Sequence, residues 1–265
     1  MKHCINIVLL CSLLIFHSCT PTKEVVTEEK ETGELFKKSI PSATFKMISI
    51  NLKHQLQDKT DVKKFADWIK STGAEVIAVQ QIYRPTETKP GFDPVQELAK
   101  KLDMRSFFGK ARYYQGWDSG NALFSPYPIQ QTNVYQLPVG KGKVRRSVAF
   151  GVIDTGMRGI GFGSTELDDA EITERVKQAY EIFSIAESLK EYPFVVAGSF
   201  GENAKGKTAA KMNEKFTLCN SLNANAISLD QHIYTLTNSK IKPVASEKIQ
   251  FGNTEGILVT LEVQQ

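Results

Sequence analysis

The chain has 265 residues, 41% of them hydrophobic, with Lys+Arg 33 against Asp+Glu 29 and a formal charge of +4. That length and apolar content fit one large domain with a sizeable core and exclude disorder over the whole chain. So mild a basic balance carries no strong nucleic-acid signal, because basic readers concentrate their charge on one face.

In chain order, Lys2 and His3 precede an apolar run from Ile5 to Phe16 that closes at His17, Ser18 and Cys19. The run is too short for a bilayer core of ~30 Å, which needs about 20 residues, and reads as a secretory signal. A small residue before cysteine at its end resembles the bacterial lipoprotein signal, in which residues 1–18 are removed and Cys19 is lipidated. The expected product is a protein tied to a membrane of the cell envelope, the outer membrane by expectation, with its domain in the periplasm or on the cell surface. Cys4 and Cys11 leave with the signal, Cys219 stays as a lone thiol, and no intramolecular disulfide is expected. Residues 19–42 combine the lipid site with a polar, charge-rich stretch of linker composition. Residues 43–265 form the domain.

Within it, 45–50 (FKMISI) is short and β-branched enough for a buried strand. Val62, Phe65, Ala66 and Ile69 recur at helical spacing until Gly73 stops them, and 75–80 (EVIAVQ) is the next strand. A helix is predicted over 95–102, and strands near 106–108, 122–124, 147–153 and 159–162. The dense basic stretch Lys141, Lys143, Arg145 and Arg146 reads as a solvated loop. Ile172, Val176, Ala179, Phe183 and Ala186 form the stripe of the longest helix. The run 193–200 (PFVVAGSF) is a strand entering a Gly-rich turn, TAAKMNEKF is helix-like, and HIYTL and GILVTLEV supply the last strands. Such mixing of helices and strands implies layered α/β with mixed sheets.

The segments MISINLK, VIAVQQI, SGNALFSPYPI, GFGSTELDDAEITERVKQA, PFVVAGSFGE and NTEGILVTLEV follow one another in an order that resembles the endonuclease/exonuclease/phosphatase superfamily. The resemblance implies a four-layer α/β sandwich: two mixed β-sheets packed face to face and flanked by helices. It also implies phosphoester hydrolysis with a divalent cation, typically magnesium, and two histidines. Asn51, Asn121, Thr165, Leu167, Asp168, Arg175 and Gln178 match the family's pattern. The metal positions are Asn51, Gln81 in place of glutamate, and Glu255 in place of aspartate. The catalytic positions hold Glu166 and Gly256 in place of histidines, Ser199 in place of aspartate and Gly201 in place of asparagine.

These exchanges remove chemistry. A glutamine offers magnesium a neutral carbonyl where a charged carboxylate is wanted, and glycine supplies no general base. Glu166 would repel an anionic substrate where the family attracts it. After processing only His54 and His232 remain, both outside the catalytic positions and both read as structural. In SLDQHIYT either Gln231, or Asp230 if one residue is inserted, fills a further family aspartate position. The first expectation is therefore a cell-envelope lipoprotein with a degenerate domain, a vestigial pocket of Asn51, Gln81, Asn121, Glu166, Ser199, Asp230, His232 and Glu255, no cofactor, and an unidentified ligand or protein partner. An alternative keeps an altered phosphoesterase in which Glu166, Glu255 and Asp230 hold Mg²⁺. A third reading comes from 201–208 (GENAKGKT), which matches the phosphate-cradling P-loop: amides from Gly201 to Gly206, with Lys207 and Thr208, would hold an anion or nucleotide. Its late position in the chain favours a chance match in a Gly/Lys-rich turn.

Overall fold

The computed structural model describes residues 44–264, apart from 157 and 227. The expected signal, the lipid site at Cys19 and the linker lie outside the described residues.

Twelve strands build two sheets. The first holds β1 (Thr44–Asn51), β2 (Val76–Arg84), β3 (Arg105–Tyr114), β4 (Trp117–Ser125), β11 (Ile241–Phe251) and β12 (Thr254–Val263), in the order β11-β12-β1-β2-β4-β3. The second holds β5 (Ile129–Gln136), β6 (Ser147–Asp154), β7 (Gly159–Glu166), β8 (Phe194–Ser199), β9 (Phe216–Leu218) and β10 (Gln231–Leu236), in the order β5-β6-β7-β8-β10-β9. Each sheet is mixed, with one parallel pair, β1/β2 or β7/β8. A helix makes each parallel crossover, α1 (Lys59–Thr72) in the first sheet and α3 (Ile172–Ser188) in the second. Two further helices are α2 (Pro94–Leu102) and α4 (Lys207–Met212).

Three apolar layers hold the sandwich together. Phe45, Met47, Val76, Phe162, Val195, Ile233 and Val259 fill the space between the sheets. Phe65, Ile69 and Leu98 pack α1 and α2 on the outer face of the first sheet, and Ile182, Phe183, Phe194 and Met212 do the same for α3 and α4 on the second. The four-layer arrangement expected from the sequence is therefore present.

Local chemistry explains the ends of the first two helices. Asp58 caps α1 by accepting from Thr60 N at 2.7 Å and Asp61 N at 2.9 Å, and Gly73 closes the helix in the left-handed region at φ 69°. Asp93 caps α2, with Pro94 at its first position, where no amide is missed.

Departures from expectation have physical causes. In α3 the buried face carries Gln178, Ala179, Ile182, Ile185 and Ala186, whereas Ile172 at the first turn is 42% exposed. Ala179, Phe183 and Ala186 of the predicted stripe are buried, and the buried face is wider than predicted because polar groups such as Gln178 find backbone partners, donating to Pro138 O and accepting from Asp168 N. Strands β5 and β11 are absent from the periodicity, since each lies at a sheet edge where one face is wet. β11 also carries Pro243 at a register shift. TAAKMNEKF is only partly helical, with α4 ending at Met212 and Phe216 opening β9. Cys219 is buried and free, and burial pushes its thiol up to about 12.

Candidate functional site

The ends of β1, β2, β7 and β8 converge with the starts of β10 and β12 at one rim of the sandwich. Ile50 pairs with Gly256, Asn51 with Gln80, Glu166 with Ser199, and Ser199 with Gln231. A register shift in β2 between Val79 and Ile82, with Gln81 at φ 48°, sends two adjacent glutamines opposite ways. Gln80 turns into the layer between the sheets and donates to Ser164 Oγ at 3.1 Å, while Gln81 faces the rim. Lys53 and His54 are also left-handed, at φ 48° and 60°. Non-glycine residues in that region cost energy and gather where a site over-determines the backbone.

Glu166 is the hub. Gln81 Nε2 donates to its Oε1 at 2.5 Å, an orientation forced by charge, since a carbonyl turned toward a carboxylate would repel it. Arg146 Nη1 contacts its Oε2, and Arg112 Nη1 stands 4.0 Å from the same oxygen. Arg146 also reaches Asp169 Oδ1 through Nη2 at 3.2 Å. The solvated-loop reading of the basic stretch is therefore wrong for Arg146, which is 2% exposed. Arg146 O accepts from Leu137 N one residue before β6 begins, and that anchored backbone carries the side chain inward to the carboxylate. Glu166 accordingly does not stand as an unpaired charge against a substrate.

The other predicted residues each have a partner. Asn51 Oδ1 accepts from Lys53 N at 3.1 Å. Asn121 Nδ2 donates to Ser147 O at 2.8 Å, and its Oδ1 is buried with no partner among the described residues. Ser199 Oγ donates to Asp230 Oδ2 at 2.8 Å. Gln231, not Asp230, is the strand residue facing Ser199, and its Oε1 accepts from Ser49 Oγ at 3.0 Å. Glu255 pairs with Lys248 at 3.0 Å; burial pushes its pKa up, but hydrogen bonds from Ser228 and Lys248 outweigh that and hold it below the usual carboxylate range. At Gly256 a Cβ would lie 3.0 Å from Ser49 O and 3.2 Å from Ile50 Cβ, so the strands are drawn together where the family resemblance places an imidazole.

Both histidines among the described residues are held by hydrogen bonds. His54 Nε2 is 2.8 Å from Ser119 Oγ, and its ring stacks on Tyr114 at 5.3 Å. Burial, then the charge of Arg112, lowers its pKa. His232 is fully buried in β10: Nε2 donates to Glu202 O at 2.8 Å, which leaves Nδ1 to accept from Asn220 Nδ2 at 3.3 Å. Burial holds its pKa below 6.5, outweighing the hydrogen bond to Glu202 O and the nearby charges of Asp230 and Glu202. The unfolded chain then takes up more protons than the fold once the pH drops below about 6.5. Stability is intact above that pH and falls beneath it, by up to about 1.4 kcal/mol per pH unit for one such group. Urea midpoints at pH 7.5 and 5.5 check this, since the His232→Gln variant should show a shallower loss; an equal slope would assign the effect elsewhere.

The P-loop-like turn already holds an anion belonging to the protein. Gly201, at φ 68°, turns the chain so that Glu202 Oε1 accepts from Thr208 N and, at 3.3 Å, from Ala209 N at the start of α4. Glu202 Oε2 meets Arg175 Nη2 at 3.4 Å. A phosphate at these amides would have to displace that carboxylate, and α4 spans only 6 residues.

Magnesium demands near-octahedral oxygen ligands at about 2.0–2.1 Å. Gln81 presents its nitrogen to Glu166, Asn51 Oδ1 accepts a backbone amide, and Glu255 is tied to Lys248. Among the described residues no group of three or more His, Cys, Asp or Glu is placed to hold a metal ion, so Glu166, Glu255 and Asp230 do not form a ligand set. The side chains present do not fit the ion. A groove of about 470 Å³ lined by Phe183, Ala186, Phe216 and Leu236 lies at the opposite end of β10, away from these residues.

Sequence reasoning missed Arg112. It stands in β3 opposite Ser119, just past a register shift at 110–112, and nothing in KARYY marks it before the strand is paired.

No family model matches the sequence, and no curated protein does so either. Solved structures do. An endonuclease/exonuclease/phosphatase from Beutenbergia cavernae DSM 12333 superposes with a TM-score of 0.68 at 15% identity, covering 83% of this chain and 72% of that one. A family protein from Leptotrichia buccalis C-1013-b gives 0.67 at 16%, covering 82% and 99%. The Bacteroides thetaiotaomicron mannosyl-6-phosphatase gives 0.60 at 12%, covering 83% and 100%. The chain has the fold of the endonuclease/exonuclease/phosphatase superfamily.

Proposed function

We propose that this chain is a lipid-anchored cell-envelope protein whose endonuclease/exonuclease/phosphatase-like domain has given up catalysis and serves as a binding or accessory component. The observation that carries the reading is the commitment of Glu166 to Gln81 and Arg146. Hydrolysis on this fold calls for a cation and a proton acceptor at the rim, and an internal ion pair occupies that region instead. The flanking exchanges agree: Ser199 is tied to Asp230, and Gly256 has no side chain to take a proton. Anchoring rests on the residues before Cys19 and on the linker composition behind it.

Two measurements on the full chain test this. Bis-p-nitrophenyl phosphate and p-nitrophenyl phosphate, supplied with Mg²⁺ or Mn²⁺, should show no turnover above buffer. Metal-dependent turnover abolished in Glu255→Ala would restore the enzyme reading. The bacterial product should partition into detergent and lose that behaviour in Cys19→Ser; partition unchanged in the variant would remove the lipid anchor.

A further inference from the structure

We propose that the rim beside Glu166 binds an oxyanion, a carboxylate or a phosphate or sulfate ester, through the free edge of the Arg112 guanidinium. This rests on the non-catalytic reading above and adds a ligand class to it.

The argument is one of unmet donors and unbalanced charge. A guanidinium carries five N–H donors in a fixed fork and no acceptor. Among the described residues, Arg112 has two contacts on its side chain: Glu166 Oε2 at 4.0 Å, too long for a hydrogen bond, and the Tyr114 ring, 5.6 Å from Cζ to centroid. Each Glu166 oxygen already has a nearer donor, Gln81 on Oε1 and Arg146 on Oε2. Arg146, itself buried, keeps Nε without a hydrogen-bond partner among the described residues. A buried donor left open, as Arg146 Nε is, is costly and in native proteins commonly marks a bound ion or water, whereas the Arg112 fork reaches solvent, where an oxyanion can take the place of water.

Charge points the same way. Arg112 and Arg146 together face one internal carboxylate, since Asp169, the other partner of Arg146, is 74% exposed and screened by solvent. His54 adds no negative charge: its Nε2 rests on Ser119 Oγ and its ring on Tyr114. A single anionic group beside Arg112 would balance the set. The guanidinium Cζ lies 5.6 Å from the Tyr114 centroid, and its planar fork suits a bidentate oxyanion. The residue lies outside the positions that the superfamily resemblance marks as catalytic, so this site belongs to the chain's own surface chemistry.

The experiment titrates the full chain with inorganic phosphate, sulfate and acetate at constant ionic strength against sodium chloride, following melting temperature and binding heat. At least one oxyanion should give a saturable rise in melting temperature. Arg112→Gln should weaken it about ten-fold or more, and Arg112→Lys, which keeps the charge but not the fork, should fall between. A response to acetate identifies a carboxylate ligand; a response confined to phosphate and sulfate identifies an ester. No saturable response beyond chloride, or equal affinity in wild type and Arg112→Gln, overturns the proposal. Should Arg112→Gln not fold, the Arg112→Lys comparison decides alone. Turnover of a phosphoester would sink the non-catalytic reading, whereas a missing anion response without turnover sinks only this inference.

Discussion

Glu166→Ala is expected to lower the stability of the domain by about 3–5 kcal/mol, the range found when one partner of a buried ion pair is removed. The physical cause is the guanidinium left behind. Arg146 is 2% exposed and, among the described residues, has Glu166 as its only buried counter-charge, its other partner Asp169 being out in solvent. For a domain of this size a loss of that order moves the melting temperature down by roughly 6–20 °C. Replacing both partners, as in Glu166→Leu with Arg146→Met, should come back close to wild type, because apolar pairs of similar volume often match or exceed a buried salt bridge. Thermal melts of Glu166→Leu, Arg146→Met and the double variant form the cycle. If Glu166→Ala melts within a degree or two of wild type, the pair does not hold the rim closed, and the case against a cation there weakens with it.

Glu202→Ala should be the next most damaging change, at about 2–4 kcal/mol, combining loss of a helix cap with loss of a buried ion pair. Its carboxylate satisfies Thr208 N and Ala209 N on one side and Arg175 on the other, and Arg175 is itself 4% exposed with Asp168 O as a second acceptor. That retained acceptor is why the expected loss is smaller than for Glu166. Gly206 lies so close that a Cβ there would sit 2.3 Å from the Glu202 carboxyl carbon, so the turn is built around this side chain. The same geometry predicts that ATP leaves the melting temperature of wild type unchanged at this loop. A rise in wild type that disappears in Lys207→Ala would show that nucleotide displaces the carboxylate, and would revive the P-loop reading.

Much of the architecture is legible in the one-dimensional pattern because burial follows backbone period. Val62, Phe65, Ala66 and Ile69 face the core of α1 as their spacing requires, and the apolar runs at 45–50, 75–80 and 193–200 become inner strands. Edge strands escape the same test. β11 alternates against water and carries a proline, so its pairing with β12 is invisible until both are placed. In α3 the period finds Ala179, Phe183 and Ala186 but not Gln178, which is buried on hydrogen bonds that no hydropathy count registers.

At the rim, residue identities alone determine which groups stand at the positions the resemblance assigns: an amide at 81, no side chain at 256, a hydroxyl at 199. The chemistry of a side chain is the same in any fold, so these identities need no coordinates. Where the remaining charges go is another matter. Arg146 reads as loop and ends buried on Glu166, Arg112 carries no signal in the sequence and ends beside it, and Glu202 reads as one link of a phosphate loop and ends as the anion inside it. Electrostatic partnership depends on distances between strands far apart in the chain, and those distances exist only once the two sheets have met.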